Sequence, residues 1–145
     1  MADSNIKTPW HLWLVGILGA LWNSIGVFDY IMTQTRNESY MSNFTTMQLE
    51  YFYGLPAWAV ASWAIAVWTA LLGSILLLLR KKLAVPVFVI GLIAYLLTCV
   101  HNYGLSNGME IMGGVGALIF SAVIFVITLF LLLYSKAMTS KGILS

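Results

Sequence analysis

Leu77-Leu78-Leu79-Arg80-Lys81-Lys82-Leu83-Ala84-Val85-Pro86 decides the architecture, because three consecutive cations stand between two apolar runs that each approach the length of a bilayer span. Short loops rich in Lys and Arg stay on the cytoplasmic side, so this triplet sets the direction of every neighbouring helix. Residues 56–79 ahead of the hinge at 80–82 and residues 83–103 behind it read as spans. Pro86 falls in the first turn of the second of these, where a missing N–H is tolerated.

Outward from the hinge, residues 10–32 and 111–134 form two further apolar runs. Of 145 residues, 61% are hydrophobic and 8% charged, against roughly a quarter charged in soluble domains. A water-soluble fold is excluded. At about 20 apolar residues per helix, the chain holds four spans, one large loop and no second domain. Pro9 opens the first span, and Trp10 and Trp13 stand where indoles favour the membrane interface. The polar residues ahead of it lack a small-residue cleavage site, so the first span reads as a retained signal anchor. Residues 33–55 form the large loop, whose second half, 40–53, mixes apolar and polar positions as a helix lying on the bilayer surface does. Residues 104–108, Gly-Leu-Ser-Asn-Gly, read as a tight turn.

Lys7, Arg80, Lys81, Lys82, Lys136 and Lys141 fall on one side of this layout, and Arg36 alone on the other. The expectation is an all-α polytopic membrane protein, an antiparallel four-helix transmembrane bundle with both termini cytoplasmic. Asp29, Glu38, Glu50 and Glu110 lie in or beside the outer half, and Asp3 inside. Cys99 is the sole cysteine, which excludes an intrachain disulfide and a cysteine-based metal framework. It also separates the chain from claudin-like four-span proteins, whose first outer loop carries a cysteine pair.

Helices in lipid associate through small residues and through polar groups that bond across the contact. Each span offers one such seam: Gly16, Gly19, Asn23, Gly26 and Tyr30; Ala59, Ser62, Ala66, Thr69 and Gly73; Gly91, Tyr95, Thr98 and Asn102; and Glu110, Gly114, Ala117, Ser121 and Thr128. Val27-Phe28-Asp29-Tyr30 and Val100-His101-Asn102-Tyr103 close spans one and three with a faint echo that would suit duplication of a helical hairpin.

Six residues are candidates for polar contact. Asn23 lies roughly 14 Å below the outer end of its span, near mid-membrane, and needs a partner such as Ser62, Thr69 or a backbone carbonyl, or else a solute. Asp29 stands about one turn from the outer boundary, where a charge costs less than the roughly 2.5–3.5 kcal/mol of the bilayer centre. His101, Asn102 and Glu110 flank the turn between the last two spans and Glu50 precedes the second, so one imidazole and three carboxylates can converge at one depth. Such a group suits proton uptake, a divalent cation or a polar solute, or simply interfacial side chains pairing with one another. Tyr30, Tyr51, Phe52, Tyr53, Trp58 and Tyr103 ring the same mouth, as an interfacial belt or as stacking surfaces for a sugar. Asn37-Glu38-Ser39 and Asn43-Phe44-Thr45 are formal glycosylation sequons. No dedicated metal motif, phosphate loop, retinal lysine or Ser-His-Asp set occurs, so no catalytic residue, no cofactor and no nucleic-acid partner is expected.

Thr8-Pro9-Trp10, Leu21-Trp22-Asn23, Phe28-Asp29-Tyr30, Pro56-Ala57-Trp58 and Arg80-Lys81-Lys82 together give a pattern that resembles a family of small four-helix inner-membrane proteins of Gram-negative bacteria. The resemblance spans nearly the whole chain. Members are sometimes labelled sugar transporters, so it implies an inner-membrane location and a small polar solute. The small multidrug-resistance transporters share the span count, but place a Glu deep in the first span, where this chain has Gly, Leu and Asn. The reading is a transporter or channel acting as a homo-oligomer, since one slim bundle does not enclose a solute path. Its rival is an accessory or scaffold subunit of a larger membrane complex, and a third option is an outer-loop metal or proton sensor.

Overall fold

The computed structural model describes residues 7–145; the placement of Asp3 and the rest of residues 1–6 lies outside them. Among the described residues the chain forms helices and no strand: α1 (Trp10–Gln34), α2 (Glu38–Met41), α3 (Thr46–Tyr53), α4 (Ala57–Leu78), α5 (Ala84–Cys99), a π-helical turn (Val100–Leu105), α6 (Gly108–Met112) and α7 (Val115–Ser140). Four helical stretches are long and apolar enough to cross a membrane, namely α1, α4, α5 with its π-helical continuation, and α7. At 1.5 Å per residue they measure about 33–39 Å, against a hydrocarbon core of about 30 Å. The chain is a multi-pass membrane protein.

Helix starts and stops have local causes. Pro9 and Pro56 precede α1 and α4 in extended conformation, supplying φ near −65° without an N–H that would go unpaired. At the far ends, α1 and α4 close in the same way, the N–H of Asn37 reaching Met32 O and that of Lys81 reaching Leu76 O, with Arg36 and Arg80 held left-handed at φ 53° and 58°. Glycine usually takes that position; α7 has it, with Gly142 at φ 76°.

Packing proceeds through the small residues. Leu12, Gly16, Gly19, Asn23 and Val27 form the buried stripe of α1. A Cβ on Gly16 would lie 2.5 Å from Leu78, one on Gly73 2.6 Å from the Phe88 ring, and one on Gly91 2.6 Å from the Thr69 hydroxyl. Their hydrogens therefore set the approach of α1 to α4 and of α4 to α5. The start of α1 meets the end of α7 where His11 Nδ1 and the Tyr134 hydroxyl lie 2.5 Å apart. The apolar core gathers toward this end around Leu12, Leu77, Phe88 and Leu131.

The structure departs from the sequence reading at four places. Helix continues as a π-helical turn to Leu105 and resumes at Gly108, so only Ser106 and Asn107 separate the two, in place of the expected turn over residues 104–108. Gly113 and Gly114, at φ 119° and 67°, break the chain so that the last span starts at Val115 rather than near residue 111. Glu110 and Gly114 thus precede α7 and take no part in its seam. The span also runs on to Ser140, placing Lys136 within the helix, because Ser135 and Met138 are buried against the core. Finally, the last residues fold back. Ile143 and Leu144 are buried in the core, while Ser145 N–H donates to Arg80 O and accepts in return from Lys82 N–H.

Candidate functional site

At the end of the helices remote from the lysines, the loop folds into two capped helices. Asn37 accepts from Tyr40 N–H at 3.1 Å to start α2. Thr45 and Gln48 form a reciprocal capping box that starts α3. Both sequon asparagines are used locally, since Asn43 Nδ2 donates to Tyr40 O at 3.0 Å. Gln48 Nε2 donates to Ile111 O at 3.1 Å, tying α3 to α6. Tilted and edge-to-face ring contacts run through this end, from Tyr40 to Phe44 (5.7 Å), Phe44 to Phe52 (5.3 Å), and Tyr51 to His101 (6.1 Å) to Trp58 (5.5 Å between centroids).

The polar centre of this end is the π-helical turn. Widening the helix there frees the carbonyls of His101 and Asn102, and the Ser106 hydroxyl answers them at 2.8 and 3.4 Å. The Tyr51 hydroxyl donates to Asn102 Oδ1 at 2.7 Å and lies 2.8 Å from Ser106 Oγ. His101, buried, sets Nδ1 3.1 Å from the same Asn102 oxygen. Gly108 permits the approach, as a Cβ there would come within 2.6 Å of the Tyr51 hydroxyl. Burial raises the Tyr51 phenol above its usual range, against the pull of the Ser106 hydrogen bond. A cavity of about 130 Å³ opens between Tyr51, Trp63, Thr98 and Asn102.

Asp29 is placed apart from this group. Its carboxylate accepts from the Tyr40 hydroxyl, a contact that fastens α2 onto the end of α1. Burial, followed by the hydrogen bond and the charge of Asp29, pushes the Tyr40 phenol up to about 12. Glu50 and Glu110 are exposed on α3 and α6. Among the described residues no three His, Cys, Asp or Glu side chains are grouped to share a metal ion. The expected convergence of His101 with Asp29, Glu50 and Glu110 is therefore corrected: the carboxylates sit on separate helices, and what gathers around His101 is an amide, two hydroxyls and aromatic rings.

Asn23 takes the pairing role. Nδ2 donates to Ala70 O at 3.1 Å and to Ser74 Oγ at 2.9 Å across the α1–α4 contact. The expected backbone carbonyl is met by Ala70 O, and the hydroxyl partner is Ser74 rather than Ser62 or Thr69, since Thr69 faces Gly91 of α5. Tyr40, Ser74 and Ser106 are members of these networks that the sequence reading did not select. Tyr51 was visible only as one of several mouth aromatics. No family model matches the chain, and no curated protein or solved structure matches it significantly.

Proposed function

We propose that this is an antiparallel four-helix transmembrane bundle, with its basic end and both termini cytoplasmic, that binds a small polar solute at the opposite mouth and works in transport as a homo-oligomer. The observation that carries this reading is the π-helical turn at Val100–Leu105, which interrupts a uniform helix where its Asn102 and, from α3, Tyr51 line a cavity. Such interruptions recur at functional sites, because they free backbone carbonyls and redirect side chains. Amide, hydroxyl and aromatic ring are the groups that hold a neutral polyhydroxylated solute. The cavity of about 130 Å³ is below the roughly 300 Å³ at which pockets bury whole drug-sized ligands, so a sugar would be gripped by one edge. The motif resemblance to small inner-membrane proteins labelled sugar transporters supports the same solute class and the inner membrane as location.

Thermal unfolding of the detergent-purified protein across sugars and polyols tests this, because a ligand at 100 times Kd stabilises by about 2.7 kcal/mol. The expected result is a rise in Tm with one solute class, abolished in Asn102→Ala and reduced in Tyr51→Phe. A rise that persists in Asn102→Ala moves the site elsewhere.

The accessory-subunit reading draws on α7, the least buried of the four spans, whose Val115, Ile119, Phe120 and Val126 are exposed. Purification separates the two readings: a symmetric oligomer of this chain alone supports transport, and stable capture within a larger complex supports the accessory role.

A further inference from the structure

A cavity of about 760 Å³ lies at the basic end where α4 finishes, α5 begins and α7 finishes. Lys81, Lys82 and Lys136 converge on it from the hinge and from α7; the lining contains no Asp or Glu, and Ser145, whose carbonyl accepts from Lys82 N–H, completes it. The described acids Asp29, Glu38, Glu50 and Glu110 belong to the other end of the helices, on the last turns of α1 and on α2, α3 and α6. Arg80 is committed elsewhere: its Nε donates to Ile143 O at 3.3 Å and its carbonyl accepts from Ser145, holding the folded-back residues as one wall. The three lysines are exposed. Beneath them the wall is apolar, formed by Leu76, Val85 and Pro86.

We propose that this cavity is a binding site for one anionic phospholipid, with the phosphate held by Lys81, Lys82 and Lys136 and the upper acyl chain laid on Leu76, Val85 and Pro86. Its depth fits, since Lys81 and Lys82 lie in the hinge between α4 and α5 and Lys136 about one turn before the end of α7, where headgroups lie. Basic pockets between helices at a membrane surface select anionic headgroups by charge. A free phosphate shares the headgroup chemistry but leaves the apolar wall unfilled, which distinguishes the two. The inference rests on the chain spanning a membrane and is independent of the transport reading and of which side is cytoplasmic.

Native mass spectrometry of the detergent-solubilised protein with phosphatidylglycerol or phosphatidylcholine of matched chains tests it. One phosphatidylglycerol should be retained at least about tenfold more tightly than phosphatidylcholine, given about fivefold per lysine. The double variant Lys82→Gln, Lys136→Gln should lower the preference to the about fivefold that Lys81 alone supplies. A charge-matched control, Lys7→Gln with Lys141→Gln, should leave the preference unchanged; both lysines are exposed and outside the cavity lining. Lys82→Arg with Lys136→Arg, which keeps the charge, should retain it. Equal loss in the control double would make the attraction a general property of the basic surface and overturn the site. So would equal retention of phosphatidylcholine, or thermal protection by inorganic phosphate alone matching that by the lipid.

Discussion

Asn23 shows how one polar side chain is made tolerable at mid-membrane. Its amide donates twice across to α4, in a setting where each interhelical bond contributes about 0.6 kcal/mol on average and at most about 1.7. Asn23→Ala is expected to lower stability by about 1 kcal/mol, measured by denaturation in mixed micelles; an unchanged midpoint would show that Ala70 and Ser74 are not its partners. Glycines can be sorted by what surrounds them. A Cβ on Gly73 meets three atoms of the buried Phe88 ring within 3.0 Å, whereas one on Gly116 meets nothing within 4 Å. Gly73→Ala should therefore cost about 1–3 kcal/mol through overpacking, while Gly116→Ala should be neutral or stabilise by up to about 1 kcal/mol through helix propensity. If both variants melt alike, α4 and α5 do not approach through Gly73.

At the scale of elements, α2 is a four-residue helix held down by little besides its contact with α1. The Tyr40 phenol binds its proton more tightly in the fold, moving from the usual 10.0 up to about 12. A folded value above the unfolded one means the contribution is complete below pH 10 and is lost as pH rises through about 12. Stability should thus fall over that window, with tyrosinate absorbance rising in step. Tyr40→Phe removes both the ionisation and the hydrogen bond to Asp29, so the variant should show a shallower alkaline loss. An identical alkaline profile would mean that α2 is not fastened by this pair. The π-helical turn is likewise an element whose form depends on others, as Ser106 answers its freed carbonyls and Tyr51 of α3 meets its amide.

For the molecule as a whole, the proposed topology puts α2 and α3 on the outer face and the Arg80 hinge with the end of α7 on the inner face. In a Cys99→Ala background, Ser42→Cys should react with a membrane-impermeant maleimide on intact cells and Ser140→Cys only after permeabilisation. Both serines are exposed, so access is decided by the side of the membrane. Labelling of Ser140→Cys on intact cells would reverse the orientation.

The number of spans, their approximate limits and the Gly16, Gly19 and Asn23 part of the buried stripe of α1 were determined by the sequence alone, because hydrophobicity and small-residue spacing act locally and add along the chain. The Gly-Gly break before α7 carried a local signal too, in Gly113-Gly114, but was read as helix because the apolar run continues across it. Tertiary structure alone decided which polar groups meet. Asn23 and Ser74 are 51 residues apart, as are Tyr51 and Asn102, and such pairings depend on the rotation and depth of one helix against another. The same geometry separated the carboxylates that proximity to one membrane face had suggested would gather. It also folded Ile143 and Leu144 under the Arg80 hinge, since burying two apolar side chains outweighs leaving a short tail in water.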